Sequence, residues 1–136
     1  MDLYAENILD HSKSPHLKGV LADPTVTHTE RNLSCGDALT LSLRVEHGAI
    51  LQIAWEGTGC AISQAGMSML AEELGGMPTQ DAANLKPDYL LKLLGVPIGP
   101  RRTKCALLSL HTLKNAIRAA EGKPEQLWRE TVHPEE

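Results

Sequence analysis

Cys35, Cys60 and Cys105 are the three thiols of this chain, and each stands beside glycine or at a helix entrance. Cys35 opens Cys35-Gly36-Asp37, Cys60 closes Gly57-Thr58-Gly59-Cys60, and Cys105 follows Arg101-Arg102-Thr103-Lys104. A cysteine used as core filler sits inside an apolar pattern. These three instead sit where backbone donors and positive charge favour the thiolate. Asp37 is two positions past Cys35, so in extended backbone both side chains point the same way, and Gly36 lets the chain bend towards one ion. Three thiolates and one carboxylate suit tetrahedral zinc or an iron–sulfur cluster. The carboxylate is the harder and more exchangeable donor, as a site needs if its contents are loaded and passed on.

The thiols are separated by 24 and 44 residues, so no pair forms a compact knuckle. Three separate loops must carry the donors to one end of the fold. Leu3, Tyr4, Ile8 and His11 lie at helical spacing over residues 2–12, and Ser14-Pro15 ends that segment. Residues 25–32, rich in Thr and Val, read as an edge strand. Leu39, Leu41, Leu43 and Val45 alternate with polar residues across 39–46, which predicts a strand with one apolar face. His47-Gly48 is a turn, and 50–56 returns with Leu51, Ile53 and Trp55 on the matching face.

From residue 61 the periodicity becomes helical. Ile62, Ala65, Met69 and Leu70 form a stripe that Gly75-Gly76 stops. Pro87 opens a short helix containing Leu90, Leu91 and Leu94, closed by Gly95-Val96-Pro97. The longest helix spans about 103–121, with Ala106, Leu110, Leu113, Ile117 and Ala120 on its buried side and Gly122 and Pro124 at its end. The expected architecture is α+β: a three-stranded antiparallel sheet with helices packed on one face. Cys60 then stands at a helix N-terminus and Cys105 in a first helical turn, where unpaired N–H groups and the helix dipole stabilise thiolates. Arg102 and Lys104 add positive charge near Cys105.

The 136 residues read as a single domain, 1–136, with a core of about 1–122 and a C-terminal helix or tail over 123–136, loose after Trp128. A net charge of −4 without a basic stripe excludes a phosphate track, so no nucleic-acid partner is expected. No stretch approaches a membrane span, and the N-terminus lacks the pattern of a secretory signal. An odd cysteine count without an export signal indicates a reducing, cytoplasmic setting. The histidines are scattered, none at a ligand spacing to the cysteines. His11 and His111 read as helix-packing residues, and Met67, Met69 and Met77 as core.

Three blocks carry a resemblance. Asn32-Leu33-Ser34-Cys35-Gly36-Asp37, Gly57-Thr58-Gly59-Cys60-Ala61-Ile62-Ser63 and Arg102-Thr103-Lys104-Cys105-Ala106-Leu107 resemble the signature blocks of the U-type iron–sulfur assembly scaffolds, which include IscU, SufU and the N-terminal domain of NifU. The opening Leu3-Tyr4 with Ile8-Leu9-Asp10-His11 and Pro15 is also similar, so the likeness spans about residues 2–121. It implies Cys35, Asp37, Cys60 and Cys105 as ligands of a metal or a [2Fe–2S] cluster. It also implies a cysteine desulfurase as sulfur donor, and apo iron–sulfur clients or a further assembly protein as acceptors.

Lys104 stands where IscU members carry His, and Val96-Pro97-Ile98-Gly99-Pro100 is not their Leu-Pro-Pro-Val-Lys motif. Arg102 with Lys104-Cys105-Ala106 is similar to the SufU branch, which typically binds zinc, but the SufU insertion between the second and third Cys is missing. The resemblance therefore implies a non-enzymatic scaffold for iron or a [2Fe–2S] cluster, with a zinc-bound sulfurtransferase as the alternative. A structural-zinc interaction domain is the second alternative. In the scaffold reading Cys35 is the sulfur acceptor because Gly36 gives its loop freedom, Cys105 is the alternative acceptor, and Arg102 lends electrostatic support.

Overall fold

Thr- and Val-rich segments and helical stripes resolve along the chain as α1 (Leu3–Lys13), β1 (Val26–Asn32), β2 (Asp37–Glu46), β3 (Ala49–Thr58), α2 (Ala61–Leu74), α3 (Thr79–Ala83), α4 (Pro87–Leu94), α5 (Thr103–Ala120) and α6 (Trp128–Val132), with a 3-10 turn at Pro100–Arg102 before α5. The computed structural model describes residues 3–13, 15–34 and 36–134, with the side chains of Leu3 and Tyr4 outside that set. Their place in the expected α1 stripe therefore lies outside the described residues. Ile8 and His11 of that stripe are buried.

The sheet is antiparallel in the order β1-β2-β3, which puts the alternating strand in the middle and the Thr-rich strand at an edge. Leu39, Leu41 and Leu43 are fully buried on one face of β2, each contributing about 1.5–3 kcal/mol relative to exposure. His47 and Gly48 both take positive φ, 54° and 74°, as a two-residue hairpin turn requires. One expectation fails on β3. The register steps from Arg44↔Gln52 to Val45↔Ile50, so the strand holds one extra residue there. The bulge turns Leu51 out to solvent, and Ile50 takes the core position beside Ile53 and Trp55.

The helices cover the buried face of the sheet more deeply than one apolar stripe would. In α2 the buried set includes Ser63, Gly66, Ser68 and Ala71 as well as Ala65, Met67, Met69, Leu70 and Leu74. Small residues allow close approach: a Cβ on Gly66 would lie 3.6 Å from the Ala106 carbonyl of α5. α5 is buried on every side from Cys105 to Ile117, because β1, β2, α2, α3, α4 and α6 all pack around it. Its expected burial stops short, since Ala120 is exposed.

The tail after Trp128 also departs from the loose segment expected. Trp128 stacks on His111 with ring centroids 4.1 Å apart, and Thr131 is buried with its hydroxyl 2.6 Å from His111 Nδ1. A short amphipathic turn thus finds a polar and aromatic partner that lies far away in sequence. Among the described residues, no helix is long and apolar enough to cross a membrane.

Candidate metal centre

Three chain segments converge at one end of the sheet. The hairpin between β1 and β2 is closed by the Asn32–Asp37 pair, β3 runs out through Thr58 into Cys60, and the 3-10 turn leads into α5. Cys60 is the N-cap of α2, and Cys105 is the third residue of α5, as their helix-entrance positions predicted. The ligand atoms of Asp37, Cys60 and Cys105 all lie within 4.8 Å of one another. Cys35 lies outside the described residues, two positions before Asp37 on the same hairpin.

The carboxylate is held from the opposite loop. Cys60 N–H donates to Asp37 Oδ1 at 2.8 Å, and the Cys60 thiol lies 3.7 Å from Oδ2. Gly59 makes that approach possible. Its φ is +135°, and a Cβ there would fall 2.0 Å from Asp37 Oδ1. The cradle exists only for glycine. Asp37 is buried and Cys105 nearly so, whereas Cys60 is half-buried and leaves the group reachable from one side.

Two residues beside the donors carry no mark in the thiol pattern itself. Asn32 donates from Nδ2 to Cys105 Sγ at 3.7 Å. Ser63 lies one helical turn past Cys60, with its hydroxyl 3.8 Å from Cys60 Sγ while donating to the Cys60 carbonyl at 3.0 Å. The i, i+3 spacing of Cys60 and Ser63 is the signal that could have found it. Asn32 becomes visible only when β1 is laid against α5.

The charges expected to support Cys105 are placed differently from one another. Lys104 Nζ lies over the Trp128 ring, 5.8 Å from its centroid, on the α6 side of the helix. Arg102 is exposed in the turn, and among the described residues no hydrogen bond or ion pair joins its side chain to Asp37, Cys60 or Cys105. His111 is far around α5 and belongs to a network with Glu30.

Two thiols and a carboxylate that converge on one point, with a hydrogen-bonded carboxylate and a glycine cradle, fit a zinc or iron–sulfur donor set. Comparisons with known proteins agree with that chemistry. A family model described as the NifU-like N-terminal domain matches residues 3–126. A Thermotoga maritima protein named iron–sulfur cluster assembly scaffold protein IscU is 33% identical, covering 85% of this chain and 93% of that protein. A Bacillus subtilis protein named zinc-dependent sulfurtransferase SufU is 31% identical, covering 88% and 92%. A Fervidobacterium islandicum crystal structure described as a SUF-system cluster assembly scaffold superposes with a TM-score of 0.71. It is 30% identical and covers 82% of this chain and 94% of that one.

Proposed function

Because this chain belongs to the NifU-like N-terminal domain family, that of the IscU and SufU iron–sulfur assembly proteins, we propose that its cysteine end accepts persulfide sulfur and holds iron or a [2Fe–2S] cluster for transfer. The observation that carries this is the convergence of Asp37, Cys60 and Cys105 within 4.8 Å at a site open on the Cys60 side. Cys35, on the hairpin that presents Asp37, supplies the fourth donor. Iron and sulfide are the cargo. The protein contributes thiolates, one exchangeable carboxylate and a seat that Gly59 opens for Asp37. The partners are a cysteine desulfurase, and apo clients or a further assembly protein, in a reducing cytoplasmic setting.

The chemistry begins with a thiolate of this chain, Cys35 in the first instance and Cys105 in the alternative, attacking the outer sulfur of the desulfurase persulfide. One S–S bond forms as another breaks, and the desulfurase leaves as its thiolate. Nothing is oxidised overall in this step. Release of that sulfur as sulfide takes two electrons per sulfur from an external reductant. Arg102, exposed in the turn ahead of Cys105, offers positive charge to the incoming anionic persulfide. Asp37 is the donor that exchanges when the product leaves.

A second reading, a zinc-bound sulfur relay, is favoured by Lys104. The position before Cys105 offers no imidazole, and its ammonium lies towards Trp128. The deciding experiment is anaerobic incubation with iron, cysteine, a reductant and a cysteine desulfurase. The scaffold reading expects charge-transfer absorption that disappears in Cys35→Ser and Cys60→Ser. Zinc that stays bound, with persulfide on one cysteine and no chromophore, replaces the scaffold with the relay. Asp37→Ala separates both from a purely structural zinc, because a structural site loses fold stability together with its metal.

A further inference from the structure

Nitrogen and oxygen donors gather a second time, far from the thiols. His11 near the end of α1, His16 in the segment that follows, and Glu72 in the last turn of α2 bring their ligand atoms within 4.8 Å of one another. Glu72 lies about 18 Å along the helix from Cys60 at 1.5 Å per residue, so the two groups share no donor. We propose that His11, His16 and Glu72 form a binding site for a first-row divalent metal ion, with zinc as the probe and water completing its coordination.

Two imidazoles and one carboxylate are a borderline donor set that suits zinc, iron or nickel over calcium or magnesium. On a tetrahedral ion with bonds near 2.1 Å, adjacent donors stand roughly 3.3–3.5 Å apart. His11 Nε2 lies 3.8 Å from Glu72 Oε1, and His16 Nδ1 contacts the same oxygen. The two rings are tilted at 41° with centroids 4.7 Å apart, so they are not stacked flat on one another. A small movement of the exposed His16 ring completes the geometry.

The surrounding shell is built in the way metal-binding histidines need. Ser68, one helical turn before Glu72, places its Oγ 2.7 Å from His11 Nδ1 and accepts the His16 N–H at 2.8 Å. Metal binding selects the His11 tautomer with Nδ1–H on Ser68, which leaves the Nε2 lone pair facing the ion. The His16 backbone is held from the other side too, since Trp55 Nε1 donates to its carbonyl at 2.8 Å. The residues after His16 form a β-bridge with Trp55, Gly19 N to Trp55 O at 2.7 Å and Trp55 N to Leu17 O at 3.2 Å. The backbone that carries His16 and the ring of His11 are therefore held before an ion arrives, which lowers the cost of binding.

Access matches the role. His11 is buried, whereas the side chains of His16 and Glu72 are 55% and 40% exposed. One carboxylate offsets half the charge of the ion, and the chain is net negative. The competing description is a surface ion pair that fastens the loop to α2, and such pairs add little stability. The third group of this kind, His28, Glu30 and Glu125, is a poorer candidate, because Glu30 Oε2 is already engaged by His28 and Asn115.

The test follows imidazole nitrogens by long-range proton–nitrogen NMR while zinc is added to the full chain carrying Cys35→Ser, Cys60→Ser and Cys105→Ser, small changes that suit the buried Cys105 position. The site expects one saturable equivalent that moves His11 Nε2 and His16 Nδ1 and leaves His28, His47, His111 and His133 in place. His16→Ala and Glu72→Gln, both changes on half-exposed side chains, should each weaken that equivalent at least ~10-fold with the fold intact by circular dichroism. No saturable shift at His11 and His16, or binding that both variants leave unchanged, overturns the site. The serine substitutions remove the cysteine donors, so this result is independent of the scaffold reading.

Discussion

The seam between β1 and α5 carries two polar clusters with opposite designs. At one end Asn32, Asp37, Cys60, Ser63 and Cys105 meet through long sulfur contacts of 3.7–3.8 Å, and Cys60 leaves one side open. Further along, Glu30 lies 2.6 Å from His28 and accepts from Asn115 at 2.9 Å, while His111 bonds Thr131 at 2.6 Å. Asn115 also bonds Gln126 through both its amide groups, N–H to carbonyl at 3.2 Å and carbonyl from N–H at 2.8 Å. The second cluster is internally satisfied, so its groups have little left to offer a ligand. The first is built on soft sulfur and is reachable at Cys60, and that difference separates the proposed metal site from a fastening for α6.

The largest effect expected is at the open cluster. Gly59→Ala places a methyl where Asp37 Oδ1 now lies, at a backbone angle that side chains rarely adopt. It should lower zinc affinity at the cysteine end by about 100-fold by displacing a ligand that its shell holds in place. Metal titration with a chromophoric chelator checks this, and affinity within twofold of the parent would remove Asp37 from the site.

Glu30→Ala probes the closed cluster. It leaves His28 and Asn115 without their shared carboxylate, so chemical denaturation should show a loss of about 1–3 kcal/mol. Zinc affinity at the cysteine end should stay unchanged. A parallel loss of metal binding would show that the two clusters are coupled along the seam rather than independent.

The smallest effect is a pH slope. Burial lowers the pKa of His111 below the ordinary 6.5, against the opposing pull of the Glu30 carboxylate, with His28 lowering it further and Glu125 raising it. The unfolded chain takes up this proton below about 6.5 while the folded chain resists it. Stability should therefore be flat above that value and fall as pH drops from it towards the lower folded pKa. His111→Gln should flatten the slope in urea midpoints measured across that range. An unchanged slope would assign the pH dependence to other groups.

Much of the fold was legible because its signals are local. The alternation of Leu39, Leu41 and Leu43, the His47-Gly48 turn, Pro87 at a helix start and Gly122 past a helix end each mark an element through backbone geometry or one-sided burial. The misses share a different cause. Leu51 is displaced by a bulge, which depends on pairing with β2 and leaves the apolar pattern of β3 intact. Trp128–Val132 orders against His111, a contact between segments that no periodicity links.

The same division runs through the chemistry. Residue types and their glycine-rich settings marked Cys35, Asp37, Cys60 and Cys105 as candidate donors, because thiols and carboxylates at turns and helix starts carry their reactivity locally; the structure brings Asp37, Cys60 and Cys105 within 4.8 Å of one another. Only the tertiary structure set Asn32 against Cys105, aimed Lys104 at Trp128, and drew His11, His16 and Glu72 together across 61 residues of chain from His11 to Glu72. Those relations are distances between surfaces of packed elements. They come into existence when α5 lies along β1 and α1 along α2, and a one-dimensional pattern carries no measure of them.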